Sequence, residues 1–313
     1  MAKDLENKFR NMSFLAVCLV VAQHLSGFPD WVGPITAIAV PWFFFQSGFL
    51  FIKVTSSHSS DGVCRGYVAL IKRKIKTLLV PYVVWNFVYW FFLLSMAWVC
   101  GLFGKNYDGM GWASVSPDII ISTLVTPCLP PTWFLSALFC VFLTAAIPIL
   151  ALRDFRIGCI ALLLAVAGLV LVNPSDLWLC RFFRGMMWFV LGCVFARFDL
   201  LNFSLKSMVV FVGVCALGAI RVLPGGGVLL ALALMPSVKL PSWMINNSFH
   251  IYLLHYFFVC VFASKIFGRV EWLSVSLGAV VKMLLILIFS IGVTETLRRI
   301  LPRLVFKVTF GLR

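Results

Sequence analysis

KRKIKTLLVPYVVWNFVYWFFLLSMAW (residues 72–98) decides the fold. The cations Lys72, Arg73, Lys74 and Lys76 stand directly before an uncharged run from Thr77 to Trp98. A run of ~20 apolar residues crosses the hydrocarbon core of a bilayer as a helix. Cations crowded at one end mark the side kept in the cytoplasm. The same grammar recurs along the chain. Breaks at Pro, Gly and charge clusters delimit ten candidate spans: 12–28, 34–52, 77–98, 132–152, 157–173, 178–196, 207–223, 226–238, 248–267 and 272–293. The eighth is short for a crossing.

Composition agrees with this reading. Of 313 residues, 62% are hydrophobic and 12% charged, with a mean hydropathy of +1.04. Soluble domains carry about 25% charged residues, so this chain lacks the material for a polar shell. A soluble enzyme, a disordered chain, a disulfide-stapled secreted module and a peripheral membrane binder are all excluded. The expected fold is an all-α polytopic membrane protein, about ten transmembrane helices in one bundle, with 1–313 a single integral-membrane domain. The net charge of +15 then reports topology rather than nucleic-acid binding. With the N-terminus in the cytoplasm, the outer segments hold only Lys105, Arg181, Arg184, Arg221, Lys265 and Arg269, and Lys282 falls mid-span. Every other Lys and Arg falls inside. Both termini are therefore expected in the cytoplasm, with 53–76 a cytoplasmic basic segment.

The first span lacks a small-x-small cleavage site and is expected to stay. The ten cysteines show no Cys-x-x-Cys spacing and mostly lie in apolar runs, as small core residues do. A Cys100–Cys128 disulfide is open only if both residues face outward. Neither an internal repeat nor a low-complexity tract is visible. Of the two long polar connections, 55–76 is read as inside and 101–131 as outside, the latter with a short interfacial piece at 116–127.

Few residues in these spans can carry chemistry. His24 lies about twelve residues into the first span, roughly 18 Å from its start at about 1.5 Å per residue. An imidazole at that depth faces protein or water rather than lipid. Its neutral form can take a proton from a hydroxyl; an interhelical hydrogen bond is the plainer use. In Phe43-Phe44-Phe45-Gln46-Ser47-Gly48-Phe49, Ser-Gly permits close helix approach, so packing alone accounts for it. Lys72, Arg73, Lys74 and Lys76 at a helix start suit phosphate as well as topology. Trp133, in Pro130-Pro131-Thr132-Trp133-Phe134-Leu135, opens the fourth span at the interface, where tryptophan is common. Tyr252 and His255 are three residues apart and share a helix face; His250 lies nearer the inner surface and is the weaker candidate. Arg181 and Arg184 share a face at the outer start of the sixth span and suit an anionic acceptor or a lipid headgroup. Lys282, mid-span and unpaired in sequence, is expected to find a carboxylate or carbonyl partner, and Glu271 and Glu295 are weak candidates. No metal-ligand spacing, Walker A motif or GxGxxG motif is present.

The order of these pieces resembles the family-3 membrane acyltransferases of bacteria over nearly the whole chain. An early-span His is followed by Phe-Phe-Phe-Gln-Ser-Gly-Phe, then the basic run entering Leu-Leu-Val-Pro-Tyr, then Trp-Phe-Leu, then Ile251-Tyr252-Leu253-Leu254-His255. Trp188-Phe189-Val190-Leu191-Gly192 also resembles the family's FFLLG helix. The resemblance implies a ten-helix bundle in the bacterial cytoplasmic (inner) membrane. It would take an acyl group, usually acetyl, from cytoplasmic acyl-CoA and deliver it to a hydroxyl of a surface polysaccharide, glycolipid or lipid-linked sugar. By the same resemblance His24 is the catalytic histidine, as general base or acyl acceptor, and Ser47, in the Ser-Gly-Phe motif, is the second catalytic candidate. Lys72, Arg73, Lys74 and Lys76 clamp the CoA phosphates, and Trp133, Tyr252 and His255 join them on the donor. Relatives often carry Arg eleven residues before the His; here that position is Ser13, and Arg10, on nearly the same face, is expected to substitute. Acyl-CoA, the glycan acceptor and membrane lipids are the expected partners, without nucleic acid or metal. Two rivals remain: an exporter of exopolysaccharide or lipid-linked sugar, which the absence of visible inverted repeats disfavours, and a purely structural membrane subunit.

Overall fold

The computed structural model describes residues 3–25, 27–55, 63–102, 132–150, 155–173, 176–202, 213, 227–261 and 276–311. Among these residues the chain is helical, with no strand. The helices are α1 (Lys3–Gln23), α2 (Val32–Thr36), α3 (Ala39–Thr55), α4 (Val63–Lys74), α5 (Val80–Leu102), α6 (Trp133–Leu150) and α7 (Phe155–Leu171). They continue with α8 (Leu177–Arg197), α9 (Val228–Leu234), α10 (Ser242–Asn246), α11 (Ser248–Val261), α12 (Ser276–Ile300) and α13 (Arg303–Phe310). Among the described residues, four stretches are long and apolar enough to cross a membrane: Val32–Val54, Tyr67–Phe92, Trp178–Arg197 and Gly278–Ile300. The expected span 207–223 (save residue 213), the connection 103–131 with Cys128, and residues 262–275 lie outside the described residues.

Helices α3 and α8 form the best-packed pair. Glycine makes this possible: a Cβ on Gly48 would overlap the Phe189 carbonyl oxygen, and one on Gly192 would overlap that of Phe45. With the backbones in contact, the Cys193 thiol reaches the Gly48 carbonyl at 3.3 Å. Phe45 packs edge-on against Phe195 at 5.5 Å and Phe51 against Phe189 at 5.9 Å. The packing reading of Ser-Gly-Phe therefore holds at Gly48. On the bundle's outside, α7 exposes Ile160, Leu163, Leu164 and Leu171, and α12 exposes Leu284 and Ile288. Apolar faces of this kind suit a hydrocarbon solvent, not water.

Three elements depart from the spans expected above. First, α1 begins at Lys3, well before Met12, and ends at Gln23. Its polar first half is helical because its side chains have backbone partners far along the chain. Asn11 Nδ2 donates to the carbonyls of Pro236 at 2.9 Å and Val238 at 2.7 Å, Asn7 to Ser237, and Lys8 to Ala233. Second, the eighth expected span shrinks to the short α9, followed by non-helical chain from Met235 to Pro241 whose carbonyls those side chains satisfy. Third, the basic segment is not a loop in its described part. Residues 63–74 form α4, and a π-turn, Ile75–Leu79, joins α4 to α5 without a break. Pro81 has no N–H for the Thr77 carbonyl and crowds it; the wider turn absorbs the misfit. Gly311, at φ 62, packs against that carbonyl.

Tyr89 Oη donates to the Leu253 carbonyl at 2.7 Å, and its ring stacks on Phe257 at 4.0 Å, joining α5 to α11. Trp85 Nε1 donates to the Thr309 carbonyl, which seats α13. His250 is buried against Phe306 and Phe310 of that helix. Lys282 is buried, and among the described residues it shows no hydrogen bond or ion pair. Replacing Asn11 by Ala is expected to cost about 1–3 kcal/mol, because two carbonyls lose one buried donor. Thermal unfolding in detergent checks this; Asn7→Ala, which loses one solvent-exposed bond to Ser237, should cost clearly less, and equal losses would mean the Asn11 clamp is not what holds 235–241.

Candidate active site

Helix α1 closes with two tight turns, the His24 and Leu25 amides donating to the Val21 and Ala22 carbonyls. Gly27, at φ 99, then lets the chain reverse toward α2. His24 thus lies in the turn that ends α1, not inside a helix as its place in a 12–28 span implied. It is half-buried, its ring 5.3 Å from that of His255 and 5.6 Å from that of Tyr256.

His255 is fully buried in the middle of α11. Its Nδ1 lies 2.6 Å from the Tyr252 carbonyl. A carbonyl only accepts, so Nδ1 carries the proton and Nε2 is left with its lone pair. No hydrogen-bond partner for that Nε2 is found among the described residues.

Both histidines line a cavity of about 470 Å³, bounded by the end of α1, the starts of α3, α6 and α8, and α11. Trp133, Arg181, Arg184 and Tyr252 line it too. The Arg181 guanidinium lies over the Trp133 ring at 4.7 Å, a cation–π contact.

A second cavity of about 340 Å³ holds Arg10, Ser13 and Gln46, with Phe43, Phe134 and Tyr252 in its wall. Tyr252 lines both spaces. Three rings form the partition: Phe43 and Phe134 are 5.8 Å apart, Phe134 and Tyr252 5.6 Å, and Phe43 and Tyr252 6.4 Å. The Ser13 hydroxyl is 2.8 Å from Gln46 Oε1 and accepts from Trp42 Nε1 at 3.2 Å. Arg10 pairs with Glu6 at 3.9 Å. The space around Ser13 is therefore polar and hydrogen-bonded, with the Arg10 charge one turn away.

The sequence-derived candidates fall into three places. His24, Trp133, Tyr252 and His255 meet at the larger cavity, and Arg10 with Ser13 lies at the smaller. Ser47, Lys72, Arg73, Lys74 and Lys76 line neither. Ser47 is half-buried on α3 beside the Gly48 contact. Lys72, Arg73 and Lys74 close α4 and Lys76 lies in the π-turn before α5, packed near the middle of α6, where Tyr67 Oη donates to the Leu143 carbonyl and Lys74 Nζ stands 4.1 Å over Phe142. Trp133 opens that helix, about two and a half turns away from this contact. Sequence reasoning missed Gln46, Trp188 and Tyr256. Trp188 had a signal, since it is four residues after Arg184 and shares its helix face; the other two meet their neighbours only through tertiary contact.

Apolar exposed helices around a polar, histidine-lined interior define a helical membrane protein with an internal site. The family model of acyltransferase family 3, described as an acyltransferase domain, matches residues 10–295, and the chain belongs to that family. It is a membrane acyltransferase. No curated protein and no solved structure matches the chain.

Proposed function

We propose that this protein transfers an acyl group, most simply acetyl, from cytoplasmic acyl-CoA to a hydroxyl of a surface polysaccharide, glycolipid or lipid-linked sugar. It does so as a ten-span bundle of a bacterial inner membrane with both termini in the cytoplasm. The observation that carries the reading is the pairing of His24 and His255 on one cavity inside the stretch that the acyltransferase family covers. The charge asymmetry of the loops supports the orientation.

In this reaction the acceptor hydroxyl gives its proton to His24 as its oxygen attacks the thioester carbonyl. The C–S bond then breaks, and the CoA thiolate recovers the proton from the imidazolium. If His24 instead takes the acyl group first, a C–N bond to its ring forms as the C–S bond breaks; the acceptor oxygen then attacks the acyl carbon, the C–N bond breaks, and the hydroxyl proton goes to the CoA thiolate. His255, whose Nε2 meets no donor among the described residues, orients His24 and shares its charge. The donor comes from the side of Arg10 and the basic turn, whose Lys72, Arg73, Lys74 and Lys76 hold the CoA phosphates. The acyl end reaches the histidines past Tyr252. Confining the reaction to a small cavity brings the groups together and limits thioester hydrolysis.

Neutralising Lys72, Arg73, Lys74 and Lys76 to Gln is expected to raise KM for acetyl-CoA at least tenfold, since charge-assisted bonds to phosphate are worth about 1.5–3 kcal/mol each. KM for the acceptor should stay within a factor of two. Equal rises in both would assign the cations to topology. A second reading, export of a glycan without chemistry, draws on the two cavities meeting at Tyr252 as on a closed conduit. Mass spectrometry of the surface glycan with and without the gene tests the proposal: one acyl unit gained with the gene supports it, and an unmodified glycan in both strains contradicts it.

A further inference from the structure

The larger cavity carries more positive charge than the acyl-transfer chemistry uses. Arg181 and Arg184 are one turn apart on α8 and both line it, while no Asp or Glu does. Neither arginine has a hydrogen bond or ion pair among the described residues; Asp176, at the start of the same helix, is occupied in capping the Leu179 amide at 3.0 Å. Two guanidinium groups at this spacing repel. The Trp133 ring under Arg181 orients its plane and leaves its edge donors unspent. Trp188, fully buried, lines the same cavity, and its indole N–H has no partner among the described residues. Fixed donors and uncompensated cations around one space suit an oxyanion that can bridge them.

We propose that Arg181 and Arg184 form an anion subsite for a phosphate or carboxylate carried by the acceptor, which holds its hydroxyl toward His24. The word acceptor rests on the proposed acyl transfer; the anion site itself does not. The donor is the weaker claimant, because the proposed function places the CoA phosphates on Lys72, Arg73, Lys74 and Lys76.

The test uses the purified full chain in phosphatidylcholine nanodiscs and the arginine reagent phenylglyoxal, with modification rates read by peptide mass spectrometry. The exposed Arg299 is the reference. Glucose 1-phosphate and glucuronate, titrated through the millimolar range, should slow modification of Arg181 and Arg184 at least fivefold and leave Arg299 unchanged. Glucose should protect neither. Four outcomes overturn the proposal: no protection by either sugar anion, equal protection by glucose, protection by phosphatidylglycerol nanodiscs alone, which would make the ligand a lipid headgroup, or stronger protection by acetyl-CoA than by the sugars. Protection by the sugar anions in a protein that transfers no acyl group would leave the anion site standing and remove the reaction.

Discussion

His24→Ala is expected to lower acyl transfer by about 10²–10⁴-fold, the usual worth of a positioned acid–base group, while the protein still inserts and folds. The turn holding His24 is made by backbone bonds to Val21 and Ala22 and by Gly27, none of which needs an imidazole. The ring is half-buried at a cavity, so its loss leaves more open space rather than a void in a packed core. What disappears is the ring that faces His255 and Tyr256. His250→Ala supplies the contrast. His250 lines neither cavity and packs against Phe306 and Phe310, so that variant should lose stability and keep its turnover per folded molecule. Rates with labelled acetyl-CoA, normalised to the monodisperse fraction, separate the two. Wild-type turnover in His24→Ala would remove the residue from the mechanism.

Gly48→Ala is expected to be among the most damaging small substitutions in the chain, at about 3 kcal/mol or more, the upper end of what overpacking costs. The added Cβ meets a backbone carbonyl, not the end of a flexible side chain, so α3 and α8 must separate along their length. Gly192→Ala strikes the same contact from the other helix and should behave alike. The helix-propensity gain of about 1 kcal/mol from Gly to Ala is too small to compensate. At Gly292, on α12, a Cβ meets nothing within 4 Å, and Ala there should be neutral or stabilising. Melting temperatures in detergent check the ordering; equal effects at Gly48 and Gly292 would deny the backbone-to-backbone contact.

Part of the fold was legible because lipid-facing helices announce themselves by uninterrupted apolar length: α8 follows its expected span closely, and α3 and α12 overlap most of theirs with shifted ends. The histidine cavity was legible in part, since Tyr252 and His255 lie on one face and His24 could not face lipid. What escaped depended on partners distant in sequence. Nothing near Asn11 says that its amide will hold the carbonyls of Pro236 and Val238, yet those bonds extend α1 to Lys3 and leave 235–241 without helix. Pro81 falls inside the expected span 77–98, but nothing near it says that a π-turn at Ile75–Leu79 joins α5 to a helix before it. Tyr252 looked like one lining residue and stands between two cavities, because Phe43 and Phe134 close the wall from other helices.

The exporter and the enzyme share this architecture, and one measurement divides them. Purified protein, reconstituted with acceptor-bearing lipid and glycan extract, is given acetyl-CoA radiolabelled in its acetyl group. The account predicts that label enters the acceptor fraction with wild-type protein and fails to do so with His24→Ala. Acceptor that crosses the membrane while the label stays on CoA would contradict it.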